Sequence, residues 1–145
     1  MLCFADVRNV ITNTRGIDDP DLLFEMVTAQ ADENMPKGLF IPLAGRDLFE
    51  AIHKGAVASL WQKGEELPAW LPNHFPLFIT DNIIEAVLEI LDHYYYKTKQ
   101  EEWGTMTKFI FRDEEMGKLY KVKTRQQYLQ LRDLAERSLR MKGGE

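Results

Sequence analysis

The stretch PKGLFIPLAGRDLFEAIHKGAVASLW, residues 36–61, decides how the chain is read. Leu39-Phe40-Ile41-Pro42-Leu43 is an almost continuous apolar run, which suits a strand buried on both faces of a parallel sheet. Pro42 has no amide hydrogen for a ladder, so it belongs at the carboxyl end of that strand. Asp47 with Glu50 three residues later makes a capping-box-like start for a helix over Leu48 to Lys54, and Gly55 is its natural stop. Ala56 to Trp61 is the next strand. Strand, short crossover and strand form a compact βαβ unit, and a parallel sheet follows from it.

Working outward, Phe4, Val7 and Ile11 space a short helix, ended by the polar run Thr12 to Gly16. Leu22 to Thr28 is apolar and β-branched enough for a strand, and Ala29 to Gly38 reads as a loop. After the loop of residues 62–74, Pro76 to Thr80 makes another strand. Thr80 or Asp81 then caps a helix reaching Lys97, with Ile84, Val87, Leu88, Leu91, Tyr94 and Tyr95 on one face. Met106 to Phe111 and Lys118 to Lys123 flank a turn ending in Gly117 and predict a hairpin. Thr124 with Gln127 opens a final helix to about Met141. The expected fold is α/β: a small, mainly parallel sheet covered by helices in residues 1–104, with residues 105–145 a hairpin and helix packed on the same domain.

A chain of 145 residues, 45% hydrophobic and 28% charged, suits one soluble domain with a real core. No apolar run is long enough to cross a bilayer and the start lacks a secretory pattern, so the expectation is a cytoplasmic protein without membrane contact. Cys3 is the only cysteine, which rules out an internal disulfide and a cysteine-based metal site. His53, His74 and His93 lie far apart and in no metal-ligating spacing. No cofactor is expected. Residues 1–105 carry 8 basic and 17 acidic side chains, whereas residues 106–145 carry 10 basic and 6 acidic. The acidic body argues against nucleic acid as a partner.

The order of these elements, with Lys37 to Gly45, Lys54 to Trp61 and Leu77 to Asn82 as the matching motifs, resembles the N-terminal domain of the Mur ligases over about Phe4 to Lys97. The resemblance implies a domain that holds the UDP end of a bacterial cell-wall (peptidoglycan) precursor. In this chain the implied ligand residues are Thr28, Gln30, Asp32, Lys37, Gly45, Arg46 and Asp47. The amides of Gly45, Arg46 and Asp47 at a helix start are an anion site on one reading and a plain cap on the other.

Three departures from the family pattern shape the expectation. The family's Asp-Ser-Arg motif aligns with Ala29 to Asn34, where Asp32 and Glu33 would repel a phosphate. The family's Asp-Gly-His loop is missing, because Gly45 leads directly to Arg46 and Asp47. No G-x-x-x-x-G-K-[ST] phosphate loop is present, so no ATP-dependent ligase activity is expected. The expectation is therefore a non-catalytic stand-alone module that binds a UDP-linked muramoyl precursor or related sugar nucleotide. The alternative is a protein-interaction or homodimerisation scaffold, for which Trp61, Trp70, Trp103 and Tyr96 would frame an apolar contact surface.

Overall fold

The computed structural model describes residues 1–42, 47–97, 107–113, 118–122, 129–130 and 133, with backbone alone for 111–113 and 118–122. Its elements in chain order are β1 (Leu2–Cys3), α1 (Phe4–Val10), β2 (Thr14–Arg15), β3 (Leu23–Phe24), β4 (Met26–Thr28), β5 (Gly38–Phe40), α2 (Leu48–His53), β6 (Ala56–Gln62), β7 (Leu77–Thr80), α3 (Ile83–Lys97), β8 (Lys108–Asp113) and β9 (Lys118–Val122). The main sheet has seven strands in the order β2-β7-β6-β5-β4-β8-β9. Pairing is parallel from β7 through β6, β5 and β4 to β8, and antiparallel at the two edges. The fold is thus mixed α/β with a mostly parallel sheet flanked by helices.

Alternation along the strands sends side chains into two layers. Leu39 and Ile41 of the Leu39–Ile41 run enter a core with Phe4 and Val7 of α1, Phe78, and Ile90 and Leu91 of α3. Phe40 points the other way, to a second core with Leu48 and Ala51 of α2, Trp61, Leu71 and Phe75. Helices α1 and α3 therefore cover one face, and α2 with the loop before β7 covers the other. Pro42 lies just beyond β5, while Ile41 still donates its amide to the Thr28 carbonyl at 2.9 Å.

Several expectations change. The strand expected over Leu22 to Thr28 is two strands with different partners: Leu23–Phe24 pairs antiparallel with β1 in a separate two-stranded sheet, and Met26–Thr28 joins the main sheet. Thr14–Arg15, expected as a polar break after α1, is an edge strand against β7. Helix α3 is capped by Asn82, whose Oδ1 accepts the Glu85 amide at 3.0 Å, rather than by Thr80 or Asp81. Its inward stripe is Ala86, Val87, Ile90, Leu91 and Tyr94, so Ile84, Leu88 and Tyr95 are only partly covered. Two overlapping apolar stripes are available on this helix, and the sheet selects the one bearing the small Ala86. Asp47 stands at the N-cap of α2 but makes no side-chain cap hydrogen bond.

Residues 108–113 do not form an appendage. β8 inserts into the sheet edge beside β4, and Phe109 is buried in the first core against Tyr94, ring centroids 5.6 Å apart. β9 pairs antiparallel with β8, and the turn expected between them lies outside the described residues. So does the expected final helix, apart from Leu129, Gln130 and Asp133, which are helical.

Candidate functional site

Parallel strands with crossovers present their carboxyl ends along one edge of the sheet, and open α/β sheets bind ligands there. At that edge lies a cleft of about 630 Å³. Pro42 after β5, Trp61 and Gln62 at the end of β6, and the first residue of α3, Ile83, form its floor. Leu48 and Phe49 of α2 form one wall. Residues 65–70 form the other.

Local chemistry fixes these walls. Trp61 is buried in the second core and donates its indole N–H to the Glu65 carbonyl at 3.1 Å. The Glu65 amide returns to the Gln62 carbonyl at 3.1 Å, closing a turn through Gly64, whose φ of +89° is a glycine conformation. That turn delivers Glu65 and Glu66 to the cleft. On the opposite wall Phe49 is 54% exposed, and its ring meets edge-to-face that of Trp70, which is 44% exposed and follows the glutamates on their own wall, centroids 5.1 Å apart. Phe49 also stacks on His53, centroids 4.3 Å apart, and the Nδ1 of that histidine sits 2.8 Å from the Phe49 carbonyl.

The residues implied by the Mur resemblance are spread over both ends of the sheet. Thr28 is at the carboxyl end of β4 but fully buried, and its hydroxyl accepts the Gln30 amide at 3.0 Å. Gln30 is half-buried beside it, and Asp32 is exposed in the loop to β5. Lys37 immediately precedes β5, at the amino end of the sheet, with a left-handed φ of +51°. About three strand residues, or roughly 10 Å, separate it from the Thr28 end. Asp47 is exposed at the start of α2, next to the cleft wall. Gly45 and Arg46 lie outside the described residues. The structure brings together Thr28 and Gln30, but not Lys37.

Of the tryptophans, Trp61 is core and Trp70 is surface, while Trp103 lies outside the described residues. Tyr94 is buried and Tyr96 is 70% exposed, as a helical Tyr-Tyr-Tyr run requires. Phe49, Gln62 and the Glu65-Glu66 pair were not legible as site residues. Their only sequence signal was an aromatic residue on the solvent side of a short helix facing the loop GEELPAW.

A second, smaller hollow of about 340 Å³ lies between the end of α1 and the start of α3, with Lys63, Asp81, Glu85 and Glu89 at its walls. Lys63 approaches Asp81 at 3.9 Å with both side chains exposed, a weak pair. Among the described residues no group of three or more histidine, cysteine or acidic side chains is placed to hold a metal, and no helix is long and apolar enough to cross a membrane.

One ionisable cluster lies away from the cleft. Asp6, in the first turn of α1, accepts the Lys97 ammonium at 2.6 Å, the Cys3 amide at 3.0 Å and the Cys3 thiol at 3.3 Å, all on Oδ2, with His93 at 3.4 Å from Oδ1. Burial works to raise the Asp6 pKa, but the bonds from Lys97 and Cys3, together with the Lys97 charge, hold it below its ordinary value of 3.8. Those donors serve a carboxylate that ties α1 to α3. The cluster reads as structural.

No protein-family model matches this chain, and a search of curated proteins gives no match.

Proposed function

We propose that this chain is a non-catalytic binding module, akin to the N-terminal domain of the Mur ligases, that takes a UDP-linked muramoyl precursor or related sugar nucleotide at the carboxyl edge of its sheet. The observation behind this reading is the cleft over β5 and β6. It lies at the carboxyl ends of parallel strands, over β5 and β6 rather than at the β4/β8 reversal of strand order, and its volume suits a small molecule. Phe49 and Trp70 offer ring faces to a base or sugar.

The test is a thermal-shift titration with UDP, UDP-N-acetylglucosamine and UDP-N-acetylmuramoyl peptides. A specific ligand at a hundred times its dissociation constant adds about 2.7 kcal/mol to stability. Trp70→Ala should abolish the shift. Absence of any shift at millimolar concentrations ends the sugar-nucleotide reading.

A second reading, a protein-interaction or homodimerisation scaffold, is favoured by one specific observation. Two large aromatic side chains, Phe49 and Trp70, stand side by side and about half exposed. Adjacent exposed aromatics are typical anchors of protein interfaces. A solution mass, measured with and without Trp70→Ala, separates a homodimer from a monomer that awaits another partner.

A further inference from the structure

Among the described residues, the ionisable side chains lining the cleft are Glu65 and Glu66. Both are exposed at its rim. These two carboxylates repel a phosphate, so the sugar-nucleotide reading needs its diphosphate held out of their reach, whereas an organic cation is attracted and meets aromatic faces as well. Phe49 and Trp70 stand edge-to-face at an interplanar angle of 84°, which presents two ring planes almost at right angles. Aromatic faces attract cations through the ring quadrupole.

Among biological cations the guanidinium fits this combination best. It is planar, stacks on a ring, and forks two N–H groups onto a carboxylate, whereas an ammonium offers a compact, strongly hydrated charge that does neither. The apolar remainder of the lining, with Leu48, Leu67 and Pro68, matches the methylene stem and flanking residues. We infer that the cleft between α2 and residues 65–70 is a docking site for an arginine-bearing segment of a partner protein, with one ring face of the Phe49–Trp70 pair stacking the guanidinium and Glu65 and Glu66 pairing with it. This inference rests on the interaction-scaffold reading and gives that reading a partner chemistry.

The test is a fluorescence-polarisation titration at low salt with dye-labelled hexa-arginine, hexa-lysine and hexa-glutamate peptides. Hexa-arginine should bind at least threefold more tightly than hexa-lysine, and hexa-glutamate should not bind. Trp70→Ala and the pair Glu65→Gln/Glu66→Gln should each weaken hexa-arginine at least tenfold. All three residues are solvent-exposed, so these variants keep the fold, which circular dichroism verifies. The control pair Glu25→Gln/Glu33→Gln removes the same charge from exposed positions outside the cleft and should change affinity less than twofold.

Equal losses in the two charge-neutralising pairs would reduce the effect to the acidity of the body and overturn the site. Free arginine competing as effectively as the peptide would overturn the protein segment as occupant. If hexa-arginine fails to bind while the protein is a dimer that Trp70→Ala dissociates, the inference falls and the scaffold reading stands. If it fails and a UDP compound stabilises the protein through Trp70, both fall.

Discussion

The hydroxyl of Thr107 accepts the Leu2 amide at 2.8 Å and donates to the Phe24 carbonyl at 2.5 Å, while its own amide reaches the Tyr94 hydroxyl at 3.0 Å. All of this is buried, so a Thr107→Val change keeps the volume and strands a donor and an acceptor without water. We expect a loss of about 1–3 kcal/mol, read from urea unfolding. Asp6 carries a different kind of contribution. Its folded pKa lies below the ordinary 3.8, so its stabilisation is fully present above that value and is lost as pH falls through the lowered folded one. Asp6→Asn should therefore cost about 2 kcal/mol at neutral pH, through lost charge-assisted hydrogen bonds. The gap between variant and parent should narrow below pH 3.8 in acid-titrated thermal melts. Neither role was legible in the sequence, because the strand expected over Met106 to Phe111 does not show that Thr107 meets Leu2 and Phe24, and Asp6 finds Lys97 only after α3 folds across α1.

At the scale of elements, the turn after α2 is the most constrained. Gly55 has a φ of +116°, and a Cβ there would stand 2.8 Å from the Met35 carbonyl oxygen, which also accepts the Gly38 amide. Gly55→Ala should cost roughly 1–3 kcal/mol from backbone strain and close approach, and lower the urea midpoint without changing the slope. The βαβ unit from β5 to β6 was legible because a capped helix and two apolar runs flank it closely, and its pairing is parallel as expected. The split of residues 22–28 into β3 and β4 was not. An apolar run records burial but not partner identity, and here Phe24 and Val27 enter one core while their strands pair in different sheets. The cleft was half legible: Trp70 was marked as a candidate for exposure, but Phe49 meets it only through a contact 21 positions away in sequence.

For the whole molecule, the strand order sets what can be removed. The apparent boundary near residue 104 is a seam in sequence composition, yet β8 closes the edge of β4 and Phe109 fills the core beneath α3. A chain ending at residue 104 would expose the β4 edge and the pocket of Phe109. We expect it to be unfolded or aggregated, read by loss of a cooperative thermal transition, rather than to behave as a minimal domain. Composition shifts report where charge changes, and a sheet can run straight through such a shift.

The bond from the Leu2 amide to Thr107 joins residues 105 positions apart. At cellular elongation rates of 5–20 residues per second, roughly 5 to 20 s pass between the synthesis of its two ends. From the synthesis of β4 until β8 follows, the β4 edge of the nascent chain lacks its partner on that side. Its early life on the ribosome is thus the period in which a chaperone has most to shield, and faster translation of the middle third would shorten that exposure.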